Sequence, residues 1–195
     1  MRWFWIDRFV ELVSGQHATA IKAVSLSGEQ LHDHFPGHAL MPNSLVIEGM
    51  AQTGGLLVSE YNDFRERVVL AKLSRSCFHF YAEAGDTLTY RASIEQISSN
   101  GAMVQATSHV GDRLQGEANI VLAHLNGNHG DQVLYDNIDF LIWLRLLRIF
   151  DVGRKPDGSR LDVPAHLAQA ELTSDRIDQD GIGGAKSSPI AEQAN

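Results

Sequence analysis

Residues 34–61 read HFPGHALMPNSLVIEGMAQTGGLLVSEY. The stretch divides in two. Pro36, Gly37 and Pro42 fall in its first part; prolines remove backbone donors and restrict the residues before them, so 31–43 reads as a shaped loop, not a helix or a central strand. The second part, 44–61, is long enough for a helix of about 27 Å at 1.5 Å per residue. Leu45, Ile47, Met50, Ala51, Leu56, Leu57 and Val58 place apolar groups on nearly every face of it, which marks a helix surrounded by protein. Gly49, Gly54 and Gly55 each weaken that helix by about 1 kcal/mol relative to Ala. They make sense where another backbone or a ligand comes very close. Glu48 stands in its second turn. Burying an ionised, unpaired carboxylate costs several kcal/mol, so Glu48 is paired, protonated or facing a cavity, and a bond to Gln52 one turn later is the plain structural alternative.

Working outward, 3–13 and 18–27 alternate bulky apolar and polar residues around Ser14-Gly15-Gln16-His17, the pattern of a hairpin. Four further β-like runs follow, 68–81, 87–96, 102–110 and 114–125, separated by Gly85-Asp86, Ser98-Ser99-Asn100-Gly101 and Gly111-Asp112. Six strands and one all-apolar helix predict an α+β fold, an antiparallel sheet wrapped around that helix, because nothing else in the chain is large enough to bury it. This domain spans 1–126. Residues 127–150 form a C-terminal helical extension whose helix, 137–150, reads NIDFLIWLRLLRIF. It is expected to dock its apolar side on its own subunit or a neighbour and to stay out of the active site. Residues 151–195 contain no aromatic group and are rich in Gly, Ser, Asp, Ala and Gln, so a largely disordered tail is expected, with a weak helix near 165–172.

The 195 residues carry a net charge of −8, with 44% hydrophobic and 21% charged residues. This is a globular balance, and the acidity argues against nucleic acid as a partner, since phosphate neutralisation needs clustered Lys and Arg. Arg65, Arg67, Lys72 and Arg75 are the local exception, read either as a solvated edge or as a docking patch for an acidic partner. Cys77 is the only cysteine, which excludes an intramolecular disulfide. The apolar N-terminus is split by Asp7 and Arg8 with no cleavage site after it. No run approaches the length of a spanning helix. A cytoplasmic protein without membrane contact is expected.

His34 lies in the loop that feeds the helix, and neutral imidazole is the usual general base near neutral pH. Amides at the helix start, near 43–46, have no intrahelical acceptors and can receive a carbonyl oxygen gaining negative charge. Base, acid and oxyanion site then converge on one point, which suits removal of a proton beside a thioester carbonyl and loss of a hydroxyl from the next carbon. The rival pattern His32, His34, His38 has no thiolate or carboxylate at familiar spacing. No metal is expected.

His34-Phe35-Pro36-Gly37-His38, Met41-Pro42 and Ile47-Glu48-Gly49-Met50-Ala51-Gln52 together resemble the signature of the 3-hydroxyacyl-acyl carrier protein dehydratases of fatty acid synthesis, which have the hotdog fold. The resemblance extends to Ile6-Asp7-Arg8, Ala84-Gly85-Asp86 and Gly116-Glu117-Ala118, and covers about residues 3–125. It implies a homodimer or dimer-based oligomer whose site takes His34 as base from one subunit and Glu48 as acid from the other. It also implies that the Asn43 amide holds the thioester carbonyl and that Gly37, Ser44, Gln52 and Phe80 contact the fatty acyl substrate; because acyl carrier proteins are acidic, the clustered Arg65, Arg67, Lys72 and Arg75 are expected to dock the carrier. No cofactor is implied. The chain departs from the family pattern at Asn43 and Asp33, where Gly is usual, and at Phe80-Tyr81, where Arg-Pro is common. A hotdog acyl thioesterase using Glu48 with water, and a hotdog interaction protein without turnover, are the alternative readings.

Overall fold

The computed structural model describes residues 4–32, 36–125 and 136–172. A hairpin opens the chain: β1 (Arg8–Val13) and β2 (His17–Ala23) pair antiparallel around Gly15, whose φ of 68° is the left-handed value such a turn requires. A single short turn, α1 (Glu29–His32), leads into the proline-bearing loop. The loop is pinned by a bridge between Leu40 and Glu83 and by Met41 N donating to Ala82 O at 2.8 Å. The central helix α2 (Asn43–Tyr61) follows.

Four long strands then run as the alternation predicts: β3 (Arg67–Phe78), β4 (Thr87–Ser98), β5 (Gly101–Val110) and β6 (Arg113–Leu125). The sheet order is β3-β6-β5-β4-β2-β1-β7, so β3 crosses to an edge beyond β6. Inward positions of β5 and β6, Val104, Ala106, Ala118, Ile120 and Leu122, are buried against α2, while Gln105 and Asn119 between them face out. The α+β hotdog architecture is therefore present: one sheet curls around one helix.

α2 has two faces. Val46, Met50, Thr53 and Leu57 are fully buried toward the sheet. Gly49 and Gly54 lie on that side, and their lack of a side chain lets the helix approach: a Cβ on Gly49 would fall 2.5 Å from the Tyr90 ring, and one on Gly54 2.9 Å from Val104. The opposing neighbours are side chains, not a backbone.

The C-terminal region differs from expectation in three respects. The helix predicted over 137–150 is broken into α3 (Asn137–Leu146) and α4 (Ile149–Val152), because Arg148 takes a left-handed φ of 62°. The break presents the Leu147 carbonyl to Phe9 N of β1 at 2.9 Å. A seventh strand, β7 (Gly153–Arg154), then adds to β1 in parallel, so the sheet is not purely antiparallel. Finally, 151–172 is folded where a disordered tail was expected: Leu161 and Leu167 are buried, Lys155 N donates to Ser159 O, and a last helix, α5, occupies 165–172. The free edge of β1 supplies unpaired backbone groups that capture this segment, and a few aliphatic residues suffice to bury it against aromatic groups upstream. Phe140, Leu141, Leu144, Leu147, Ile149, Leu161 and Leu167 share one buried cluster with the sheet and α2. Residues 173–195 lie outside the described residues, as does the expected boundary between 126 and 127. No helix among the described residues is long and apolar enough to cross a membrane.

Candidate active site

The face of α2 turned from the sheet carries Glu48, Ala51, Gln52, Gly55, Leu56 and Ser59, positions that repeat at helical spacing and form one stripe. They line a cavity of about 510 Å³. Val68, Val69 and Leu70 of β3 and Leu122 of β6 wall one side; Phe4, with Phe140, Trp143 and Leu147 from the extension, walls the other. The extension's contribution corrects the expectation that its helix stays apart from the site. Phe140, Leu141 and Leu144 are buried on the chain's own core, and Trp143 meets Phe4 edge-on with ring centres 5.7 Å apart. The physical reason is that Ala51 and Leu56 of α2, with Val68 and Val69 of β3, leave an apolar surface that needs a cover, and α3 is the apolar element beside it.

Glu48 is half-buried and faces this cavity. It is also paired: Gln52 Nε2 donates to Glu48 Oε1 at 3.0 Å, and Trp5 N donates to Gln52 Oε1 at 2.9 Å. Two of the alternatives for a carboxylate in an apolar helix thus hold together.

The start of α2 is capped by Pro42 with no side-chain hydrogen bond, which leaves the end open to an acceptor. The Asn43 side chain is drawn sideways: its Oδ1 accepts from Gln115 Nε2 at 3.4 Å, and the same nitrogen donates to Phe80 O at 2.8 Å. Gln115, fully buried, thereby links the helix start to Phe80, whose ring lies 4.1 Å under the Arg113 guanidinium. Ser44 is exposed on the first turn, and Gly37 is exposed in the turn before it with φ of 79°. His34 lies outside the described residues.

Lys72 and Arg75 are exposed on β3, Arg67 begins that strand half-buried, and Arg65 is exposed just before it. Arg65 also borders a second cleft of about 710 Å³ between the end of α2 and residues 155–165 of the extension. Within it Glu60 is buried, and desolvation lifts its carboxyl above the ordinary carboxylate range. Among the described residues one cluster has donors suited to a metal: Cys77, His79 and Glu117, whose ligand atoms lie within 4.8 Å of one another. None of the three lines the Glu48 cavity.

The residues that sequence reasoning missed are Gln115, Phe4, Phe140 and Trp143. Gln115 stands one place before the Gly116-Glu117-Ala118 motif, and a polar residue expected to face inward on a strand was the available signal. The aromatic walls had none, because they come from the two ends of the chain.

A family model described as FabA-like domain matches residues 3–121. The chain is 31% identical over 122 residues to a 3-hydroxyacyl-[acyl-carrier-protein] dehydratase FabZ of Campylobacter fetus, covering 59% of this chain and 82% of that protein. Among solved structures, the dehydratase heterocomplex ApeI:P from Xenorhabdus doucetiae aligns with a TM-score of 0.55 at 14% identity, over 64% of this chain and 85% of that one. A hypothetical thioesterase protein with coenzyme A from Streptococcus pneumoniae aligns with a TM-score of 0.51 at 13% identity, over 61% and 88%. At such identities the two structures establish the shared fold alone.

Proposed function

The chain belongs to the FabA-like family of hotdog dehydratases, and on that premise we propose that it removes water from 3-hydroxyacyl thioesters carried on acyl carrier protein, giving trans-2-enoyl thioesters for fatty acid synthesis. The observation that carries this reading is Glu48, the one carboxylate among the described residues that line this mostly apolar cavity, placed one turn inside the open end of α2.

The thioester carbonyl accepts from the amides at Asn43 and Ser44, where the positive end of the helix stabilises the charge that develops on its oxygen. His34 takes the C2 proton as base. The electron pair of that C–H bond becomes the C2–C3 double bond as the C3–O bond breaks. Glu48 gives its proton to the departing hydroxyl, so that water leaves. Gln52 holds one Glu48 oxygen as an acceptor, which leaves the other to carry the proton. Asn43, tied to Gln115, keeps its side chain aside from the approaching carbonyl. Gly37, Phe80 and Gln52 complete the substrate surround.

The reading includes a site shared by two subunits of a homodimer. β3 supports it: this edge strand is exposed from Leu70 through Ser76 and offers unpaired backbone groups to a second copy. Strand pairing would use backbone groups and leave the side chains of Lys72 and Arg75, with Arg65 and Arg67, to meet an acidic carrier. Reversing two of these charges should raise KM for carrier-linked substrate while sparing a short thioester mimic; equal effects on both would remove the docking assignment.

A single assay tests the reaction. Given 3-hydroxyacyl thioesters, the protein should form enoyl product, and His34→Ala and Glu48→Gln should each lose about 10²–10⁴-fold of that rate. Free thiol released without enoyl product would overturn the proposal in favour of a thioesterase.

A further inference from the structure

The cavity beside Glu48 is built from two sources that the family resemblance does not join. Its floor is the outer stripe of α2, which rises about 16 Å from Glu48 to Ser59 at 1.5 Å per residue. Halfway along stands Gly55, where an added Cβ would have no neighbour within 4 Å, so the floor is open above it. The far end and one flank come from α3, which lies wholly outside the matched residues 3–121. Phe140 packs edge-on against Phe64, just past the end of α2, with ring centres 5.8 Å apart, and Trp143 stands against both Phe140 and Phe4. Among the described lining residues, the polar side chains besides the Trp143 indole are Glu48 and Gln52 at one end and Ser59 at the other.

We propose that this cavity is an acyl groove running from Glu48 along α2, and that the extension, through Phe140 and Trp143, closes it and selects the length of the acyl chain. The inference rests on the dehydratase reading for its reaction, but the binding it describes does not depend on turnover. An acyl chain is the occupant that fits: it is apolar, linear, and attached to the thioester whose reacting carbons must reach Glu48. Trp143 presents a flat aromatic wall to the chain, and Phe140 stands where a longer chain would have to pass. Gly55 leaves the floor low enough for methylenes to lie on the helix backbone.

Two substitutions act on the groove in opposite directions. Trp143→Ala removes the wall, and Gly55→Leu fills the floor. The quantity to measure is the ratio of kcat/KM for long-chain over short-chain 3-hydroxyacyl thioesters. Trp143→Ala should raise it, and Gly55→Leu lower it, each by about tenfold or more, as a change of one or more methylenes in an apolar pocket does. Where Trp143→Ala does not fold, Trp143→Leu and Gly55→Leu carry the test. Binding is followed separately with saturated acyl thioesters of graded length: longer chains should shift tryptophan emission in the parent and much less in Trp143→Phe.

The outcomes separate the two ideas. A length-dependent emission shift that is lost in Trp143→Phe, with no enoyl product from any substrate, would sustain the groove and sink the dehydratase reading. Enoyl formation with an unmoved length ratio in both groove variants would sink the groove and leave the reaction standing. A changed mass in solution with an unmoved ratio would assign this face to a second copy of the chain, which also overturns the proposal.

Discussion

Gln52 donates its side-chain amide to Glu48 Oε1 at 3.0 Å across one turn of α2. The orientation of that amide is not arbitrary. Trp5 N is a donor only and lies 2.9 Å from Gln52 Oε1, so the oxygen must face Trp5 and the nitrogen must face Glu48. A backbone group at the start of the chain thus fixes the side chain that fixes the proposed acid.

Replacing Gln52 by Met keeps its bulk and removes both bonds. Loss of a hydrogen bond between neutral groups costs about 0.5–1.5 kcal/mol, so kcat for dehydration should fall by up to about tenfold. KM should move less. A raised KM with unchanged kcat would show that Gln52 only binds substrate and does not position Glu48.

The glycines of α2 should respond in opposite ways. Gly49→Ala drives a methyl group into the Tyr90 ring, 2.5 Å away and fully buried, and such overpacking costs about 1–3 kcal/mol. Gly55→Ala meets nothing and should gain up to about 1 kcal/mol of helix propensity. Denaturant unfolding of the two variants measures the contrast; equal shifts would mean that α2 does not approach the sheet at Gly49. In the same experiment Tyr90→Phe should be neutral or stabilising, because the Tyr90 hydroxyl is buried without a hydrogen-bond partner among the described residues.

Leu167 tests whether the extension belongs to the core. It is fully buried on α5, and truncating a buried leucine costs about 2–5 kcal/mol. Leu167→Ala should therefore lower the unfolding midpoint of the whole chain in one cooperative transition. An unchanged midpoint would return 151–172 to the status of an independent tail.

Glu60 sets a pH dependence. Burial, the largest influence, raises its carboxyl pKa, and Asp63 adds to the rise, while a hydrogen bond from Ser14 and the charge of Lys155 oppose it. The folded value lies above the unfolded one, so folding takes up a proton between them. The stability this contributes is complete below the unfolded value, about 4.3, and is lost as pH rises through the folded value. Glu60→Gln should therefore gain Tm relative to the parent as pH rises from acid toward neutral. A Tm difference that stays constant across that window would exclude Glu60 as the titrating group.

Much of the fold was legible because two periodicities are written locally. Alternation over β4, β5 and β6 and the all-round apolar character of 44–61 each follow from which faces meet water, and a sheet around a helix is the arrangement that buries both. Glu48 was legible as a site candidate for the same reason, since a carboxylate in an apolar helix calls for an explanation within a few residues of itself. The sequence could not show that Gly49 and Gly54 answer Tyr90 and Val104, that Gln115 holds Asn43 aside, or that Trp143 stands over the cavity of Glu48. Those contacts join residues far apart in the chain, and the pairing of β7 with β1 anchors the segment that follows α3. Local pattern determines which surfaces must be buried. The partner that buries each is decided by chain connectivity and by the competition of all apolar faces for cover, and that competition takes place only in three dimensions.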